Sequence, residues 1–400
     1  MSRYSNGKLL FGAALCLVVA VSMGGRGFAQ EPSSFSASQK LLSGDSSAPG
    51  AKIMATDGRD FYVVSVERGQ NGLDERLIVT KVSTDGELAA TPTMIDSRMI
   101  GLLDHNASVA VAGSTKKTVH AVWTVQPDKA SGTIGGVYYA RADVSDFKDW
   151  HKPLRISGSV TDINSLLAVA SRRGEIDVLF TGNGGHVYYV TAHAPKFIFS
   201  KPVQIPGVTT TGDGRSVDAA LDKNGNLHVA YLRTSGAGRI GVAYVKRRAG
   251  KKAWSKPVDV IPPSPVGDRG SMSIAAYDAN NVYIASTLIN NKSLDVYTSG
   301  NGGRSWTSQT VTEVKPSKHA SIAVGADKTL TVGVGHEIEA PLSEDAMIFR
   351  SVDGRNWQQI LTIPQETSVN IVLDAHGKAG VLTRGAVGTD ENQAYFTKEQ

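Results

Sequence analysis

The chain has 400 residues, with 42 Lys plus Arg against 37 Asp plus Glu, and 42 glycines. Its formal net charge of +5 is carried in good part by Arg3, Lys8 and Arg26 near the N-terminus, and what remains, about +2, is too small for a nucleic-acid or anionic-membrane footprint. The only cysteine, Cys16, also lies in that N-terminal stretch, so the rest of the chain holds no disulfide and no cysteine metal site.

Arg3 and Lys8 precede Leu9–Val21, a run of about thirteen apolar or small residues that is short for a bilayer span. Gly27-Phe28-Ala29 places small residues at the positions a signal peptidase reads. Residues 1–29 are therefore expected to be a secretory signal peptide cleaved after Ala29, and residues 30–400 a single domain. Ala13-Ala14-Leu15 ahead of Cys16 does not fit a lipoprotein signal. The expectation is export to the periplasm or the exterior, with no transmembrane segment in the mature chain.

Next comes Phe35–Leu42, which reads as a lone outer strand. It compares with Phe199-Ser200-Lys201-Pro202-Val203 and Trp254-Ser255-Lys256-Pro257-Val258. From about Ala51 short apolar runs alternate with glycine-bearing turns, the pattern of strands and hairpins. The clearest unit is Ser216–Val260. Val217–Asp222 is its first strand, Lys223–Asn226 a tight turn, Leu227–Arg233 the second strand, Ile240–Lys246 the third and Trp254–Val260 the fourth. Similar units begin near Ala51, Ser108, Ser165, Ser271, His319 and Ser368. The seventh lacks its fourth strand. Four strands repeated at roughly 50 residues mean a propeller. The expected fold is an all-β, seven-bladed β-propeller of four-stranded blades. The N-terminal strand fills the place missing from blade 7 and removes a sheet edge; six blades are the alternative. Pro153, Pro202 and Pro257 are expected in outermost strands, where a missing backbone donor is tolerated.

Two turns after third strands carry a sharper signature. Ser299, Asn301, Gly303 and Trp306 follow the spacing S-x-D-x-G-x-x-W with Asn in place of Asp. Ser351, Asp353, Gly354 and Trp357 follow it with one residue fewer. The chain resembles BNR/Asp-box proteins of the sialidase-like β-propeller superfamily. Physically, the short polar side chain bonds turn amides and the Trp packs between sheets, a structural role. The resemblance implies a propeller and marks no active site. Sialidases similar in this way use three arginines for the sialate carboxylate, a Tyr–Glu nucleophile pair and an Asp acid/base. Arg215 and Arg269, with Arg384 or Arg233, are candidates for such arginines. An Arg-Ile-Pro signature is absent, and Tyr138, Tyr139, Tyr188, Tyr189 and Tyr244 fall in third strands.

In a propeller the residues entering first strands and the second-to-third strand loops gather at one mouth. Asp104, His105, Asp162, Asp213, Arg215, Arg233, Asp268, Arg269, His319 and Arg384 are the ligand-binding candidates there, because carboxylates and guanidinium groups around a concavity hold polar or acidic ligands. The competing reading makes the aspartates turn caps. His120 and His228 read as core residues, and Lys246–Lys252 as a solvated loop. No HExxH, Walker loop, G-x-S-x-G elbow or EF-hand loop is present, so no catalytic residue, cofactor or metal is assigned. Three functions remain open: a secreted propeller that binds a glycan or other extracellular ligand without catalysis, an exo-sialidase-type glycoside hydrolase, and an envelope scaffold for protein partners.

Overall fold

The computed structural model describes residues 33–41, 53–68, 73–84, 88–210, 216–235, 238–265, 270–287, 292–313, 315, 320–339, 342–385 and 393–400. They form seven four-stranded antiparallel sheets, each built from strands consecutive in sequence except at the closure. Blade 1 runs Ile53–Thr56, Phe61–Arg68, Asp74–Ser83 and Ala89–Met99; blade 4 runs Val217–Leu221, Leu227–Ser235, Arg239–Arg247 and Val258–Pro265. The seven-bladed expectation holds, and the six-bladed alternative does not.

Second strands are apolar on both faces because each blade is sandwiched between two others. Thr118–Val125 in blade 2 is buried at every position. The strict in/out alternation of a half-solvated strand is accordingly missing there. The cores lie between blades: one cluster joins Leu179 and Tyr189 of blade 3, Val229 and Val245 of blade 4, and Ile274 and Ile284 of blade 5. An aromatic after one blade's third strand also packs edge-on against the third-strand tyrosine of the blade before it. Phe199 meets Tyr139 at 4.7 Å, Trp254 meets Tyr189 at 5.3 Å and Trp306 meets Tyr244 at 5.3 Å.

The ring closes as expected. Gln39–Lys40 pairs antiparallel with Ala394–Lys398, the third strand of blade 7, with Gln39 opposite Phe396. Ser36 donates its amide to the Lys398 carbonyl at 2.8 Å, and the Lys398 amide donates to Ser36 Oγ at 3.0 Å. Beside this seam Arg350 of blade 6 makes a two-pronged ion pair with Glu399, both contacts 2.6 Å. Burial alone raises the Glu399 carboxyl, but Arg350 and the Ala379 amide outweigh it and hold it below its ordinary value.

The prolines need one correction. Pro153, Pro202 and Pro257 stand just before the fourth strands, which start at Leu154, Val203 and Val258. Each lacks an amide hydrogen to donate to the third strand, and regular pairing starts at the residue after it. Other prolines do lie within fourth strands: Pro92, Pro206, Pro262 and Pro263. These are edge positions, where no partner strand asks for the missing donor.

Candidate functional site

The antiparallel order puts the first-to-second and third-to-fourth turns on one face and the other connections on the opposite, mouth face. On the turn face an Asx side chain caps most of the first-to-second bends and the two bends at Asn301 and Asp353. Asn301 Oδ1 accepts the amides of Arg304 and Ser305 at 3.0 Å each; Asp353 Oδ1 accepts those of Arg355 and Asn356 at 2.8 Å each. The Asn356 and Arg355 amides hold the Asp353 carboxyl well below the usual carboxylate range. Ser299 and Ser351 fix the start of each bend by accepting the amides of Gly303 and Gly354 at 2.8 and 2.9 Å. Asp57, Asp222, Asp278, Asp327 and Asp374 cap first-to-second turns in the same manner, and Ser171 does so in blade 3. Capping by aspartate is thus real and falls mostly on the face away from the mouth; on the mouth face Asp128 caps the second-to-third strand loop of blade 2, accepting the Ala130 and Ser131 amides at 3.1 and 2.9 Å.

At the axis the first strands enclose a cavity of about 460 Å3. A ring of side-chain bonds stitches its wall. Ser108 Oγ accepts the Ala168 amide at 3.0 Å, and Asp218 Oδ2 accepts the Ile274 amide at 2.9 Å. Ser273 Oγ accepts Ile322 at 3.4 Å, Ser321 Oγ accepts Ile371 at 3.0 Å, and Asn370 Oδ1 accepts Met54 at 3.0 Å. Each acceptor lies opposite the corresponding second-strand residue: Val122, Ala230, Ala285, Gly333 and Leu382. The same position holds Ile53 in blade 1 and Leu167 in blade 3, which have no acceptor. The Ala219 amide, deprived of a blade 3 partner, turns to Asp218 Oδ1 at 2.9 Å. Between these groups Val109, Leu166, Ala168, Met272 and Val372 supply apolar wall, and among the described residues that line the cavity Asp218 is the only ionisable one.

The expected ligand residues divide. Asp213, Arg215, Asp268, Arg269 and His319 lie outside the described residues. Asp104 and His105 fall inside the first strand of blade 2, in its irregularity between Leu103 and Ala107, rather than ahead of it. Asp162 precedes the first strand of blade 3 and is exposed. Arg233 is engaged by Asp259 of its own blade's fourth strand at 2.5 Å. Arg384 sits opposite Thr367 at the start of blade 7 and has a buried Nε without a hydrogen-bond partner. Asp162, Arg233 and Arg384 do not line the axial cavity. Among the described residues no cluster of His, Cys, Asp or Glu is arranged to hold a metal, and no helix is long and apolar enough to cross a membrane.

The third-strand tyrosines serve structure. Tyr139 bonds His120 Nδ1 at 2.9 Å and Tyr244 bonds His228 Nδ1 at 2.7 Å, both pairs fully buried. Burial raises the Tyr139 and Tyr244 phenols and pushes Tyr231 up to about 12. The ring-forming Ser108, Asp218, Ser273, Ser321 and Asn370 are the residues sequence reasoning missed. Their signal is a small polar residue repeated at one first-strand position.

No protein-family model and no curated protein matches the chain. Solved structures similar to it include a mutant of AofleA from Arthrobotrys oligospora, 11% identical, covering 83% of this chain and 90% of that one, with a TM-score of 0.51. A protein of unknown function from Dyadobacter fermentans is 12% identical over 91% of this chain and 99% of its own, at 0.48. The Trypanosoma rangeli sialidase in complex with 2,3-difluorosialic acid is 11% identical over 88% of this chain, at 0.47. The chain spans about half the length of that sialidase, 54%. These are likenesses of fold.

Proposed function

We propose that the protein is an exported propeller that binds a glycan or another hydroxyl-rich extracellular ligand at its axial mouth without catalysis. One observation carries this reading. The axial cavity alternates apolar wall with hydroxyl and amide groups, and among the described residues its one carboxylate is Asp218, which already accepts two backbone amides. Such a wall suits the alternating C–H and O–H surface of a sugar. General acid/base hydrolysis needs two differently tuned groups facing one bond, and the described wall offers one. Arg215 and Arg269 stay in the proposal as residues that would hold an acidic substituent at the rim. The turns at Ser299 and Ser351 are read as degenerate Asp-boxes with a structural role.

Titration calorimetry with neutral and acidic oligosaccharides tests this. Ala55→Phe, which fills the cavity from blade 1, should abolish saturable binding while leaving the thermal transition in place. Export itself is tested by the mass of the secreted chain, expected to begin at Gln30.

A second reading, a docking scaffold, has one observation in its favour. Leu73, Met99 and Ile100 are 71%, 63% and 43% exposed at the mouth-face tip of blade 1. Replacing all three with Ser should leave sugar binding intact under the first reading.

A further inference from the structure

The turn face carries a second concavity, between blades 2 and 3. It has a volume of about 230 Å3, and its lining includes Lys116, Thr118, Arg141, Asp143, His151 and Phe197. We propose that this cleft binds an oxyanion: the sulfate, phosphate or carboxylate group of a small ligand or of a saccharide.

The central residue is Arg141, in the third strand of blade 2, Gly136–Asp143. Its Nη1 donates to the Pro195 carbonyl at 3.2 Å, and its guanidinium lies 4.8 Å above the Phe197 ring. Phe197 is itself held in place: its amide donates to the His193 carbonyl at 2.8 Å, and its ring meets buried His120 edge-on at 4.7 Å. The guanidinium is therefore fixed before a ligand arrives, which lowers the ordering cost of binding.

The charge of Arg141 has not been neutralised. Arg98, Arg247 and Arg350 each meet a carboxylate at 2.9 Å or closer. Among the described residues Arg141 meets none. It shares its cleft with two further basic side chains, Lys116 from the first-to-second turn and His151 from the third-to-fourth connection. The one acid facing the cleft is Asp143, 3.2 Å from Lys116; those side chains are 41% and 80% exposed. An exposed pair of that kind contributes little, so Lys116 can exchange Asp143 for an incoming anion. A planar guanidinium with parallel N–H groups is the donor geometry that carboxylates, sulfates and phosphates accept.

Titration of the mature protein with sodium sulfate, phosphate and acetate at constant ionic strength tests the proposal. A parallel series with methyl glucuronide, glucose 6-sulfate and methyl glucoside separates a free anion from a sugar-borne one. Saturable binding of the anions, or of the two charged sugars and not of methyl glucoside, is expected. Arg141→Gln should weaken it about tenfold or more, the worth of one charge-assisted bond. Asp143→Asn removes the opposing charge and should tighten binding roughly threefold. That gain cannot arise from a damaged fold. Absence of saturation, an unchanged affinity in Arg141→Gln, or no gain in Asp143→Asn would overturn the proposal.

Discussion

His120 and His228 occupy the same second-strand position in blades 2 and 4, and each bonds a third-strand tyrosine, yet their other nitrogens differ. His228 Nε2 meets Asp222 at 3.2 Å, whereas His120 Nε2 is buried without a hydrogen-bond partner, because the position corresponding to Asp222 is Ala112. Burial, aided by the charge of Arg141, lowers the His120 pKa to about 3. In the unfolded chain the same imidazole takes up its proton near pH 6.5. Between these values the unfolded state binds the extra proton, so stability falls as pH drops, by up to about 1.4 kcal/mol per unit. Urea unfolding at pH 7 and 4.5 should show wild type losing about 2 kcal/mol more than His120→Asn; equal losses would contradict a buried neutral His120. Gly303 is a second test at this scale. It has φ +84°, and a Cβ there would stand 2.0 Å from Tyr244 Cε1 of blade 4. Gly303→Ala should lower stability by about 2 kcal/mol or more, read as a lower thermal midpoint, because both backbone and tyrosine would have to shift.

Strands and their order were readable because their signals are local: an apolar run, a glycine-bearing turn, a proline at an outer edge. The seven units, the unpaired N-terminal strand and the third-strand tyrosines all follow from such signals. What ties blades together was not readable, because four of the five ring bonds join residues 49 to 60 apart in sequence and the fifth, Met54 to Asn370, joins residues 316 apart. A serine in a first strand looks like any other serine until its neighbour is in place. The same holds for the closure, where Arg350 of blade 6 reaches Glu399 of blade 7. Removing one member of a buried pair leaves the other uncompensated, at about 3–5 kcal/mol. Arg350→Met should therefore lower the thermal midpoint sharply, while Lys116→Met at the exposed Asp143 pair should leave it nearly unchanged. Deleting residues 33–41 should expose the Ala394–Lys398 edge and shift the protein toward oligomers on size exclusion.

For the molecule as a whole, fold and site were legible to different degrees. Seven blades imply an axis and a mouth, and loop positions said which residues could crowd it. Arg233 was one of these, but Asp259 engages it, and a cross-strand partner in the fourth strand cannot be read from loop position. The cavity wall instead comes from polar and apolar first-strand residues whose one shared signal, a small polar residue at a repeated position, shows only when the blades are aligned. Under the proposed function this wall binds a sugar and leaves it intact. The most direct measurement incubates the mature protein with a panel of labelled neutral and sialylated oligosaccharides and reads bound and released sugar by mass spectrometry. Retained, unmodified oligosaccharide is expected, with retention lost in Ala55→Phe. Release of free sialic acid that disappears in Arg215→Ala or Arg269→Ala, or no retention of any sugar, would contradict it.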